Sequence, residues 1–177
     1  MRDPRRMAIK LLEEYGIKDR PVSVVEIAEK LGAKVIPSDP EDDDISGMIY
    51  HEDGNTIIAV NKTHSPTRQR FTIAHEIGHL ILHSELIHRV HVDKGKNFRQ
   101  KLYRDGRSKI GEDILEIEAN RFAAELLMPS FLLKKDVKNF YIDFNEEPSE
   151  IAELYNVSPQ AMSIKLMELF GDKFYNK

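Results

Sequence analysis

At 177 residues the chain has room for one ordinary domain with a continuous core, plus at most a small appendage. A hydrophobic fraction of 41% beside a charged fraction of 32% excludes wholesale disorder, and the absence of cysteine excludes disulfides and thiolate metal sites, leaving His, Asp and Glu as the only strong ligands. A net charge of -4 gives no ground for general nucleic-acid binding.

The start, MRDPRRMAIKLLEEYG, lacks the apolar run of a secretory signal, and no stretch approaches the roughly eighteen apolar residues of a spanning helix; the expected location is cytoplasmic, with no membrane partner. A first helix is expected over about residues 7–15, stopped by Gly16. A second opens at Ser23, which with Glu26 has the spacing of a capping box and places Val24, Ile27, Ala28 and Leu31 on one face. Residues 33–37 read as a strand, followed by an acidic, proline-punctuated loop over 38–44. Residues 45–51 and 56–61 are β-rich runs around Glu52-Asp53-Gly54-Asn55, a hairpin signal.

Ser65 and Pro66 then open a long helix to about His83, apolar most of the way round and therefore largely buried. Residues 84–111 form a connection without periodicity. Between Arg89 and Lys109 eight Lys or Arg face two Asp, a local charge of +6 that leaves -10 for the remainder. A helix over 112–128 stops at Pro129, Ser130 caps a shorter one to about residue 139, and the tail from Pro148 carries helix starts at Ser149 and Ser158 around a turn at Asn156. The elements imply an α+β architecture, a small antiparallel sheet packed on the long helix and further helices elsewhere. The expected organisation is a catalytic unit over 1–145 and a helix-turn-helix-like tail over 146–177.

His75-Glu76-Ile77-Gly78-His79 is the HExxH pattern. Residues four apart on a helix project from one face a turn apart, so both imidazoles can meet one cation, while Glu76 stands beside the metal and faces its water. Three polar side chains inside a buried helix are costly without a shared purpose. Catalytic zinc takes three protein ligands and keeps a fourth position open. His83 continues the stripe but lies roughly 12 Å along the axis from His75, too far to share the ion, and is read as a supporting residue behind the ligands. A metzincin would need Gly at 82 and His at 85, where Leu82 and Glu85 stand.

The third ligand is therefore sought in EDILEIEANRFAAELLMP. Glu116 shares a face with Ala119, Asn120, Ala123 and Leu127, small enough for close helix approach. Glu118 aligns with Phe122 and Glu125, where a second carboxylate suggests a partly solvated face. Glu116 is the favoured ligand, Glu118 the alternative, and Asn120 is placed to hydrogen-bond a ligand histidine from behind.

RFTIAHEIGHLILH over 70–83, followed by EIEANRFAAELLMP over 116–129, resembles the ImmA/IrrE family of bacterial and phage metallopeptidase-like proteins. The hairpin over 45–61 and the EIAEKLG helix extend the similarity to about residues 8–130. The resemblance implies a gluzincin-like zinc site of His75, His79 and Glu116 with Glu76 catalytic. It also implies action on transcriptional regulators of the Xre-like helix-turn-helix type. The long basic connection between His79 and Glu116 departs from the pattern.

Three functional readings follow. Proteolysis would use Glu76 as general base, with His88, His91 or Tyr103 of the basic segment as candidate oxyanion donors. A regulatory protein could instead sequester or displace an acidic partner without cutting it. Direct DNA binding is disfavoured, because Glu150, Glu153 and Glu168 outweigh Lys165 in the tail.

Overall fold

The computed structural model describes residues 3–39, 45–85, 109–137 and 148–171. Helix α1, Pro4–Glu14, begins earlier than the periodicity suggests. Asp3 accepts a hydrogen bond from the Arg5 amide at 3.1 Å, and Pro4 occupies the first turn, where its missing N–H costs nothing. Helix α2, Val24–Lys30, starts after Ser23, but the Ser23 side chain makes no capping hydrogen bond, so the expected box is not formed.

Three strands follow: β1, Ala33–Ser38; β2, Gly47–Glu52; and β3, Asn55–Asn61. Asp53 and Gly54 turn β2 into β3 with φ of 49° and 78°, the paired positive values of a type I′ turn, which explains the Asp-Gly dipeptide. The sheet order is β1-β3-β2. The hairpin half is antiparallel, as expected, pairing Gly47 with Val60 and Glu52 with Asn55. On the other side β1 joins β3 in parallel, Ala33 opposite Thr56, so the sheet is mixed where an antiparallel one was expected. The periodicity of a strand fixes its faces and leaves its neighbour's direction open.

Helix α3, Pro66–Leu82, is capped by Ser65, whose Oγ accepts from the Arg68 amide at 3.4 Å. It lies against β2, β3, α2 and the long helix α4, Lys109–Leu127. Helices α5, Ser130–Asp136; α6, Ser149–Tyr155; and α7, Pro159–Phe170, complete the described elements. One core joins them: Ile58 and Val60 of β3, Ile73 and Ile77 of α3, Phe122 and Leu126 of α4, Met162 and Leu166 of α7. Among the described residues no helix is long and apolar enough to cross a membrane.

Two buried polar contacts fasten the tail helices. Lys165 of α7 donates to Glu125 of α4 at 2.6 Å, and Glu125 also accepts from the Ser130 amide and hydroxyl, each at 2.8 Å. Tyr155 of α6 donates to Asp136 at 2.6 Å, beside Arg20 at 2.9 Å from the same oxygen. Two expectations change here. Lys165 does not offset the tail's surface acids, and the Phe122–Glu125 face of α4 is not solvated: Glu125 and Lys165 are 1% and 2% exposed. Ser130 heads α5 by binding the preceding helix through Glu125 rather than by capping its own, and α5 ends at Asp136, short of residue 139.

Candidate metal centre

Helix α3 carries His75 and His79 on one face because four residues make just over a turn. Their rings meet edge to face, centroids 4.6 Å apart, with the two Nε2 atoms 3.0 Å from each other. Glu116 reaches them from α4, its carboxylate oxygens 3.2 Å from His75 Nε2 and 3.4 Å from His79 Nε2. What lets α4 come so close is the small-residue contact foreseen in the sequence. A Cβ added at Gly78 would stand 3.2 Å from the Cα and carbonyl oxygen of Ala119, with Phe122 at the same distance, so any larger residue would press the two helices apart by a few tenths of an ångström where they touch.

The donor set fits a divalent metal. Four ligands held at about 2.0–2.1 Å in a tetrahedron stand about 3.3 Å apart. The closest approaches are of that order: 3.0 Å between the two Nε2 atoms, and 3.2 and 3.4 Å from them to the two different oxygens of Glu116. His75, His79 and Glu116 are the group of potential ligands found among the described residues.

Without a cation, protons hold these groups together. Burial works against a charged His75, but its hydrogen bond with Glu116 and the nearby carboxylates of Glu76 and Glu116 outweigh that and raise its pKa. Hydrogen bonds from His75 and His79 in turn hold the Glu116 carboxyl well below the usual carboxylate range. Behind the ligand face, Asn120 Oδ1 stands 3.0 Å from His75 Nδ1. An amide oxygen only accepts, so that ring nitrogen donates and the unprotonated face of a neutral His75 is turned toward Glu116 and His79.

The remaining singled-out residues fall as follows. Glu76 is 3% exposed, one residue after His75 in the same helix. His83 is not in the ligand cluster: it caps the end of α3 and lies 3.1 Å from His79, Nδ1 to Nδ1. Burial lowers its pKa against the opposing pull of Glu118. Glu118, the alternative ligand, stands apart from the cluster, its carboxylate 2.9 Å from His83 Nε2. Its link to His83 was not anticipated, although the same four-residue spacing that pairs His75 with His79 also sets His83 behind His79. His88, His91 and Tyr103 lie outside the described residues, as does most of the basic connection.

The chain is 28% identical over 139 residues to an uncharacterized immunity region protein 2 of Bacillus phage phi105, covering 75% of this chain and 78% of that one. It is also 28% identical over 134 residues to the metallopeptidase ImmA of Bacillus subtilis, covering 74% of this chain and 69% of that one. A solved Mycobacterium tuberculosis transcriptional regulator shares the fold, with a TM-score of 0.63 at 19% identity over 94% of this chain; the chain spans 47% of that protein's length. The family model describing IrrE N-terminal-like domains matches residues 28–167, running from α2 through α3 and α4 into α7, and the chain therefore belongs to that Peptidase_M78 family.

Proposed function

We propose that the protein is a zinc metalloendopeptidase whose ligands are His75, His79 and Glu116 and whose general base is Glu76. The observation that carries this reading is the convergence of two imidazole nitrogens and one carboxylate, from two helices, close enough to share one cation, next to a buried glutamate. Zinc bound there would supply a Lewis acid that activates water and polarises a peptide carbonyl. Glu76 takes the proton from the attacking water and delivers it to the departing amine nitrogen. Asn120 holds the His75 ring, and the α3–α4 contact at Gly78 holds Glu116 in reach.

A polypeptide substrate suits the surroundings. A groove of about 730 Å³ runs between α4, α7 and the start of α3, lined by Phe71, Ile117, Arg121, Leu127 and Ile164 and including Asn120, the residue that holds His75. Ile117 and Ile164 stand 46% and 65% exposed there, apolar surface ready for a partner chain. Membership of the family makes a helix-turn-helix regulator of the Xre-like type the substrate we propose. Of the tail over 146–177, the described residues 148–171 are read as docked on the 1–145 unit, since Lys165 reaches Glu125 and Tyr155 reaches Asp136.

The test is incubation with the cognate regulator, followed by mass spectrometry of the products. The zinc-loaded protein cuts at a defined bond, and Glu76→Gln keeps its zinc while losing roughly 10²–10⁴ of the rate. A regulator that is bound and displaced but left intact would replace the peptidase with a sequestering protein. Normal cleavage by zinc-loaded Glu76→Gln would remove Glu76 from its role.

A further inference from the structure

His83 and Glu118 lie behind His79, away from the other two ligands, and both are largely shielded from water, with side chains 6% and 13% exposed. Their hydrogen bonds can be ordered by elementary donor counting. An ionised carboxylate has no proton to give, so at 2.9 Å the His83 Nε2–H donates to Glu118. A neutral imidazole has one donor and one acceptor. His83 Nδ1 is therefore an acceptor, and the group 3.1 Å away, His79 Nδ1, must supply the hydrogen. When His79 is neutral, as metal binding requires, its proton is therefore on Nδ1 and its Nε2 lone pair faces His75 and Glu116.

We infer that Glu118 and His83 form a two-step hydrogen-bond relay that fixes His79 in the only neutral tautomer able to bind metal through Nε2. Both are positioning residues, and the inference rests on the metal-site reading above. It explains why two glutamates two residues apart on α4 do different work: Glu116 faces the ligand nitrogens, while Glu118 is committed to His83. It also makes the two ligand histidines unequal. His75 leans on a neutral amide, Asn120, whereas His79 leans through His83 on a carboxylate, which strengthens the Nδ1 hydrogen bond and makes Nε2 the better electron donor. His79 sits in the last turn of α3, with His83 at the cap, so the relay also ties the end of the ligand helix to α4.

The experiment compares the parent chain with His83→Phe, Glu118→Ala and Glu118→Gln, after stripping metal with a chelator. Two quantities are read: zinc affinity by competition with a chromophoric chelator, and ring-nitrogen protonation from ¹⁵N-edited spectra of the metal-free protein. In the parent, His79 is protonated on Nδ1. His83→Phe and Glu118→Ala turn it into a tautomer mixture and weaken zinc roughly 10- to 100-fold, while Glu118→Gln, whose amide oxygen still accepts from His83, loses less. Zinc affinity within twofold of the parent in both His83→Phe and Glu118→Ala, with the His79 tautomer unchanged, overturns the relay even if Glu116→Ala abolishes binding. A parent that takes up no zinc overturns the metal site instead, and the relay is then judged by the metal-free spectra alone.

Discussion

Helix α4 carries two polar clusters only a few turns apart, and they behave in opposite ways. At its C-terminal end Glu125 meets Lys165, the Ser130 amide and the Ser130 hydroxyl, so the charge is neutralised and both carboxylate oxygens are engaged. Toward its N-terminal end Glu116 meets two imidazole nitrogens that crowd within 3.0 Å of each other and gain a common partner only if a cation or proton sits among them. The first cluster is closed by residues of the chain itself. The second leaves its acceptors aimed at a single point. Burial of charge alone thus does not mark a functional site; the direction of the lone pairs does.

The comparison can be broken from either side. Lys165→Met leaves Glu125 buried without its counter-charge and should lower unfolding free energy by about 3–5 kcal/mol, measured by chemical denaturation, while zinc stoichiometry of the folded protein stays the same. A loss of zinc binding with little loss of stability would mean that the two clusters are coupled. Gly78→Ala acts at the contact between the ligand helices. It should cost about 1–3 kcal/mol through overpacking and weaken zinc as well, because Ala119 must move by a few tenths of an ångström and carry Glu116 with it. Unchanged zinc affinity in that variant would show that Glu116 has slack to spare. Asn120→Ala is the smallest change, removing one hydrogen bond from His75; zinc affinity read by chelator competition should fall roughly tenfold with stability nearly unaltered.

How legible each cluster was in the sequence follows from how local its determinants are. The HExxH pair depends on helical pitch alone, and the row of Glu116, Ala119, Asn120 and Ala123 signals a close helix contact, so the ligand candidates could be proposed from spacing. The hairpin turn at Asp53-Gly54 was readable for the same reason, and the structure has it. The parallel pairing of β1 depends on where α2 returns the chain, which no window of residues contains. The burial of Glu125 and Lys165 depends on how α7 crosses α4, forty residues apart in sequence. From sequence, Glu125 argued for a solvated face, since an unpaired glutamate would be; its partner reversed that. The contact between Glu118 and His83, at 2.9 Å, likewise depends on how α4 lies against the end of α3, thirty-five residues away, which no local pattern contains.

The most direct test of the metal centre is a calorimetric titration of the chelator-stripped protein with zinc, run beside His79→Ala and Glu116→Ala. One zinc per chain in the parent, with uptake lost or severely weakened in both variants and folding retained, is the result the geometry requires. No uptake by the parent, or equal uptake by all three proteins, would mean that these nitrogens and this carboxylate converge without a metal to hold.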